Sequence, residues 1–194
     1  MGAVSTPDIT IPADLLPADG RFNSGPTKVR PEALDALAGR ATDYMGTSHR
    51  QLPVQLVVAE LRNGIAELLR APDGYEIMLG NGGATGFWDC ATFGLIEQRS
   101  HHLSFGEFGG KFAKAVAAAP HLDTPSISES EPNTHPPIDA AEGVDAYGYT
   151  HNETSTGVML DPARPEDPGA LVLVDATSAA GGLHFDASAT DVYY

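Results

Sequence analysis

The sequence predicts an α/β fold in which a mostly parallel sheet carries helices on both faces. From Tyr75 onward, short apolar runs alternate with segments of helical spacing, which is typical of strand–helix–strand units. The apolar run at residues 170–174 (ALVLV) shows no alternation, which is typical of a strand buried on both faces. Asp175 follows this run directly, and an open parallel sheet binds its ligands beyond the carboxyl ends of its strands.

Composition limits the classes of partner. The chain has 194 residues, enough for one well-buried domain or a large part of a longer one. Its formal net charge of −15 argues against nucleic acid and anionic membrane surfaces as partners. The single cysteine, Cys90, cannot form an internal disulfide, and no apolar run approaches the roughly 18 residues of a membrane span. We therefore expect a cytoplasmic protein that binds small molecules.

The first part of the chain shows only helical patterns. Residues 1–20 are rich in Pro, Ala and Asp without periodicity, so we expect a flexible arm there and one domain over residues 21–194. Helical spacing predicts a helix that begins at Pro31 and a second over residues 53–70.

Strands and helices alternate in the rest of the chain. Residues 75–79 are predicted to form a strand that leads into the glycine-rich turn at residues 80–86, and residues 120–142 a surface connection. Further helices are expected at residues 87–95 and 108–119, and further strands at residues 102–105, 144–150, 170–174 and 191–194.

The glycine-rich turn is a candidate phosphate site, because backbone N–H groups at a helix start bind anions where no side chain intervenes. A dinucleotide fingerprint would require glycine at Thr85, and no Gly-Lys-Ser/Thr of a nucleoside triphosphate loop follows. A tight strand–helix connection explains the glycines equally well, but the Thr85 hydroxyl slightly favours phosphate. A phosphate without a nucleotide pattern suggests a cofactor such as pyridoxal phosphate.

Phe108 begins the next predicted helix, where a flat ring can stack on a flat cofactor, although such a ring more often belongs to the core. Glu107 lies about twenty residues after the glycine turn, where a dinucleotide fold places its ribose acid. A nicotinamide-dependent oxidoreductase therefore stays open as an alternative.

Thr154 and Asp175 are polar residues that follow two other predicted strands. In the functional interpretation Thr154 bonds a ring substituent; the alternative is a loop whose polar groups are satisfied by their own backbone. A carboxylate held against a pyridine nitrogen keeps that nitrogen protonated, and the ring can then withdraw electrons from a substrate carbanion. An acid at the end of so apolar a strand requires a partner, because a buried unpaired carboxylate is costly.

Taken in chain order, several segments resemble the phosphoserine aminotransferase family, whose members are class V, fold-type I pyridoxal phosphate enzymes. The segments are residues 24–26 (SGP), 48–50 (SHR), the glycine turn, 151–154 (HNET) and 174–178 (VDATS). The resemblance covers residues 21–194. It implies a homodimer that converts 3-phosphohydroxypyruvate and L-glutamate to O-phospho-L-serine and 2-oxoglutarate, in serine and pyridoxine biosynthesis.

The same resemblance implies roles for individual residues. Ala84 and Thr85 would hold the cofactor phosphate, Phe108 would stack on the ring, Thr154 would bond the 3-hydroxyl, and Asp175 would bond the ring nitrogen. Many members carry Gly-Arg in place of the first two residues and Trp in place of Phe108, which indicates a divergent branch.

Three further residues would belong to the substrate pocket: Ser24, His49 and Arg50. An arginine fork suits carboxylate and phosphate groups because it can bind two oxygens at once.

The resemblance places the Schiff-base lysine a few residues beyond Tyr194, so no catalytic residue is assigned within the chain. Lys28, Lys111 and Lys114 do not match that position. We therefore expect these residues to be the amino-terminal part of the large domain, truncated before the small carboxy-terminal domain and inactive alone. No metal site is expected, because the histidines lack metal-ligand spacing. The alternatives are another class V enzyme, the oxidoreductase, or a non-catalytic fragment that binds a phosphorylated metabolite.

Overall fold

The parallel sheet is present in the computed structural model, which describes residues 9–21, 28–184 and 186–194. The strands are β1 (Ser100–Ser104), β2 (Ser126–Glu129), β3 (Ala146–Thr150), β4 (Asn152–Glu153), β5 (Val158–Met159), β6 (Leu171–Asp175) and β7 (Val192–Tyr193). Five of them pair in parallel in the order β2–β1–β3–β6–β7. The other two, β4 and β5, form a short antiparallel hairpin directly after β3.

Among the described residues, four α-helices accompany the strands: α1 (Pro31–Gly39), α2 (Leu52–Leu69), α3 (Ala84–Gly94) and α4 (Glu107–Ala117). Both predicted amino-terminal helices are therefore present, each with a proline in its first turn. The chain divides into two compact units between Met45 and Gly46, and α1 belongs to the first. In the described ranges no helix is long and apolar enough to cross a membrane.

Helices α3 and α4 cover one face of the sheet. Trp88 and Ala91 of α3 and Phe112 and Val116 of α4 pack with Leu173 of β6 in one buried cluster. Each large apolar side chain buried in this way stabilises the fold by about 1.5–3 kcal/mol.

Connecting segments cover the opposite face. Val172 and Val174 of β6 pack there with Tyr147 and Tyr149 of β3, and Leu160 after the hairpin completes the cluster. Residues 172–174 alternate between the two clusters, so β6 is buried on both faces, as its unbroken apolar run predicted. The predicted fold class, a central parallel sheet with helices, is confirmed.

Residues 75–79 do not form the strand that their apolar pattern predicted. Met78 and Leu79 are exposed, and within the described ranges no strand pairs with this segment. The Tyr75 hydroxyl donates a hydrogen bond to the Thr190 carbonyl, which fixes one end of the segment. An apolar run becomes a strand only where a neighbour bonds its N–H and C=O groups.

The predicted surface connection at residues 120–142 contains a strand that the sequence pattern did not predict. Strand β2 pairs with β1 at the edge of the sheet, with Ser126 opposite His101. Its sequence is SISE, and its residues alternate between half-buried and exposed. A short polar edge strand of this kind carries no apolar run, so composition alone indicates a loop.

Candidate active site

A cavity of about 230 Å³ lies at the carboxyl ends of β3 and β6, beside the first turns of α3 and α4. The lining residues come from separate parts of the chain: Ala84, Thr85, Trp88, Phe108, Lys111, Thr150, Asn152, Thr154, Asp175, Thr177 and Ser178. All five residues predicted to contact a cofactor are among them. This is the sheet edge at which parallel α/β proteins bind ligands.

Asp175 provides the buried acid of the cavity. It is the last residue of β6, only 5% of its surface is exposed, and its Oδ1 accepts a hydrogen bond from the Thr177 N–H (3.0 Å). Burial raises the pKa of Asp175, the nearby Glu153 charge raises it further, and the hydrogen bonds from Thr177 oppose the rise. A cationic N–H donor in the cavity would therefore stabilise the ionised carboxylate.

The Ser178 hydroxyl joins the segment after β3 to the turn after β6. It accepts hydrogen bonds from Thr154 Oγ1 (2.7 Å) and Asn152 Nδ2 (2.8 Å), and it donates one to the Asn152 carbonyl (3.2 Å). The position of Thr154 relative to the Asp175 turn is thus set by side-chain bonds as well as by the sheet.

The first turn of α3 forms another wall. Gly82 has a φ of +96°, a conformation that glycine adopts without strain, and Gly83 precedes the helix. Within the part of the chain that the structure describes, no side chain caps this end of α3, and the first N–H groups of an α-helix have no partner within the helix. Ala84 and Thr85 therefore present an anion-binding helix terminus to the cavity.

Phe108 lies in the first turn of α4, and its backbone N–H donates to the carboxylate of Glu153 (3.1 Å). Lys111, one turn further, lines the cavity with its ammonium group 5.3 Å from the centre of the Phe108 ring. The same group forms an ion pair with Glu107 (2.6 Å). Glu107, which the oxidoreductase alternative would assign to a ribose, therefore pairs with a lysine of its own helix.

Two of the predicted substrate residues, His49 and Arg50, are not among the residues that line this cavity. His49 and Arg50 are exposed in the turn before α2, where the Arg50 N–H donates to Ser48 Oγ (3.3 Å) and its carbonyl accepts from the Gln55 side chain (3.1 Å). Ser24 lies outside the described residues. The substrate role of all three stays a prediction.

Several lining residues escaped sequence-based assignment. Trp88 looks like core from its helical spacing, yet it borders the cavity and its indole N–H donates to the Tyr194 hydroxyl (3.1 Å). Thr150 is the last residue of β3, and a single threonine at a strand end carries no distinctive pattern. Thr177 and Ser178 belong to the VDATS segment, so their position directly after Asp175 could have identified them as site residues.

Comparison with known proteins shows which proteins the chain is similar to. The phosphoserine aminotransferase of Nocardioides sp. (strain ATCC BAA-499 / JS614) is 57% identical over 192 residues, which are 97% of this chain and 51% of that protein. The solved phosphoserine aminotransferase from Bacillus circulans subsp. alkalophilus has a TM-score of 0.74 and 22% identity, over 89% of this chain and 51% of its own. The one from Cytophaga hutchinsonii ATCC 33406 has a TM-score of 0.69 and 25% identity, over 84% of this chain and 45% of its own.

No protein-family model matches the chain. The chain spans about half the length of the curated relatives it matches. The similarity nevertheless extends over nearly all of these residues, and it confirms the resemblance that the motifs predicted: by sequence and by fold, the chain is homologous to phosphoserine aminotransferases.

Proposed function

We propose that the cavity binds pyridoxal 5'-phosphate and that the protein transfers an amino group between L-glutamate and 3-phosphohydroxypyruvate. The observation that carries the proposal is that residues predicted separately to contact a cofactor meet in one cavity. Five residues from four distant segments, each selected from the sequence for a cofactor contact, line one cavity around a buried carboxylate. The named relatives are aminotransferases, and a solved relative from Trichomonas vaginalis is described as bound to pyridoxal phosphate.

The residues present fit the chemical groups of this cofactor. The uncapped end of α3 at Ala84 and Thr85 suits a phosphate, and the Phe108 ring offers a flat apolar surface. Thr154 supplies a hydroxyl for the 3-hydroxyl group, and Asp175 supplies an acid for the ring nitrogen. When bound, the cofactor serves as an electron sink for a substrate carbanion.

The chain's own residues perform the positioning and the electrostatics. The Asp175 carboxylate would keep a proton on the ring nitrogen, because burial makes its ionised form costly without a cationic partner. Ser178 orients Thr154 through a 2.7 Å hydrogen bond. Phe108 of α4 and Trp88 of α3 give the cavity apolar walls on two sides.

The finer parts of the proposal concern the whole protein. We expect a cytoplasmic homodimer about twice the length of this chain that takes part in serine and pyridoxine biosynthesis. We also expect a lysine outside residues 1–194 to bond the cofactor covalently, because Lys28, Lys111 and Lys114 do not match the position that the resemblance gives. The anionic substrate would then be held by Arg50, His49 and Ser24.

The test uses the full-length protein. Purified enzyme is titrated with pyridoxal phosphate while its absorbance and fluorescence are recorded, and is then mixed with L-glutamate and 3-phosphohydroxypyruvate while 2-oxoglutarate is measured. We expect saturable cofactor binding, turnover, and a mass increase after borohydride reduction that reports the trapped cofactor. Binding of a nicotinamide dinucleotide in place of pyridoxal phosphate would refute the proposal.

A further inference from the structure

Glu153 is a fully buried acid that the proposed function leaves without a role. It lies in β4, directly before Thr154, and none of its surface is exposed. Its carboxylate accepts hydrogen bonds from the backbone N–H groups of Phe108 (3.1 Å) and Gly109 (3.0 Å), which are in the first turn of α4. It also accepts bonds from the Ser155 hydroxyl (2.7 Å) and N–H (3.3 Å).

This carboxylate replaces the cap that α4 lacks locally. The residue before α4 is Gly106, which has no side chain to bond the free N–H groups of the first turn. A carboxylate at this end also interacts favourably with the helix dipole. The cap therefore comes from a segment about forty-five residues later in the chain, and it ties α4 to the hairpin.

Gly106 leaves room for the carboxylate. A Cβ added there would clash with Glu153 Cγ and lie 2.6 Å from both Glu153 Cδ and Ser155 Oγ, closer than Cβ atoms approach other heavy atoms in folded proteins. At Gly109 the close contact is with β1 instead, because an added Cβ would lie 2.9 Å from the Leu103 carbonyl oxygen and 3.8 Å from Glu153 Oε2. The FGEFGG segment is thus shaped to admit Glu153 against the helix terminus.

We propose that Glu153 is a positioning residue that fixes the Phe108 ring relative to Thr154 and so sets the width of the cofactor slot. The inference rests on the proposed function. Both ends of the connection contact the cavity: Phe108 follows the capped terminus of α4, and Thr154 follows Glu153 in the chain. Loss of the carboxylate would free the first turn of α4 and the ring that it carries, while the phosphate wall at α3 would stay in place.

The experiment is a double-mutant cycle on cofactor affinity in the full-length protein. The variants are Glu153→Gln, Phe108→Leu and the two combined, and the readouts are the pyridoxal phosphate dissociation constant and the visible circular dichroism of the bound cofactor. We expect each single variant to weaken binding about tenfold, and the double variant to be little weaker than Phe108→Leu alone, because coupled residues are non-additive. The dichroism should fall in Glu153→Gln, because the ring no longer holds one orientation.

Asp145 offers a matched control at the opposite end of the sheet. Its carboxylate accepts backbone hydrogen bonds from Glu97 (3.0 Å), Gln98 (2.6 Å) and Arg99 (2.9 Å). Asp145→Asn therefore removes charge from a comparable set of bonds far from the cavity. We expect it to leave cofactor affinity and dichroism unchanged.

The outcomes separate this inference from the proposed function. A wild-type protein that does not bind pyridoxal phosphate refutes both. A wild-type protein that binds, with effects of Glu153→Gln and Phe108→Leu that multiply to about a hundredfold in the double variant, refutes only the positioning role. If Glu153→Gln does not fold, Ser155→Ala removes the 2.7 Å bond to the carboxylate and must show the same coupling to Phe108 on a smaller scale.

Discussion

Thr150 and Asp175 are register partners at the carboxyl ends of the adjacent parallel strands β3 and β6. Both are almost completely buried, and both line the cavity. The Asp175 carboxylate accepts the Thr177 N–H, whereas within the described ranges Thr150 Oγ1 has no hydrogen-bond partner. The sheet thus places a buried carboxylate beside a buried hydroxyl that lacks a partner in the described ranges, at one point on the cavity wall.

Replacement of Asp175 separates binding from folding. Asp175→Asn keeps the shape of the side chain and an acceptor for the Thr177 N–H, but it removes the charge. We expect turnover of the full-length enzyme to fall about a hundredfold or more, because a preorganised charge at the reacting group is lost. Asp175→Ala should do the same, and near-normal steady-state rates would exclude the residue from the mechanism.

The cofactor-free form of Asp175→Asn should be more stable than the cofactor-free wild type at neutral pH. Burial raises the pKa of Asp175 in the folded state, so the ionised carboxylate destabilises the fold above that pKa. Below the unfolded-state pKa of about 4 the wild-type acid is neutral in both states, and the difference should vanish. Denaturant unfolding between pH 4 and pH 7 measures this, and a difference that grows as the pH falls would contradict the assigned cause.

Thr150→Val tests the unpartnered hydroxyl. Valine has the same shape without a polar atom, so the cofactor-free variant should be about 1 kcal/mol more stable than wild type in denaturant unfolding. Thr150→Ser keeps the hydroxyl and serves as the control. Destabilisation by Thr150→Val alone would mean that the hydroxyl does have a partner, such as a bound water.

The central strands were predictable because burial on both faces leaves a clear signal. Strand β6 is an unbroken apolar run, and the other two interior strands, β1 and β3, are buried along nearly their whole length. The edges of the sheet were not predictable in this way. Strand β2 is polar and alternating, and residues 75–79 are apolar but unpaired, so at the edges local composition and strand pairing disagree.

The candidate site shows the same division. Residues directly after strong strand or turn signals, such as Asp175 and Thr85, were identified from position alone. Glu153 was visible as part of a motif, but its role depends on Phe108 and Gly109, which are more than forty residues away. A contact between distant segments has no local pattern, so only the fold reveals it.

Gly148→Ala should destabilise the sheet from within. An added Cβ in the middle of β3 would lie 2.7 Å from His102 Nδ1 and 2.8 Å from the Phe112 ring, and both side chains are buried. We expect a loss of about 1–3 kcal/mol in denaturant unfolding, because an overpacked core must shift backbone or rotamers. Gly64→Ala in α2 is the control: a Cβ there meets nothing within 4 Å, so it should stabilise by about 0.5–1 kcal/mol. Equal effects of the two substitutions would refute the packing at Gly148.

Arg50→Ala tests whether the exposed turn before α2 contributes to substrate binding. Arg50 is exposed and does not line the cavity, so its substrate role rests on the family resemblance and this substitution tests it directly. We expect the KM for 3-phosphohydroxypyruvate to rise about tenfold or more with a smaller change in kcat, since a charged bond to an anion contributes about 1.5–3 kcal/mol. Arg62→Ala, which removes a surface arginine paired with Glu76, should leave KM unchanged. Steady-state kinetics on the full-length enzyme measures KM and kcat for both variants. Equal KM values for both variants and the wild type would mean that another group binds the substrate anion.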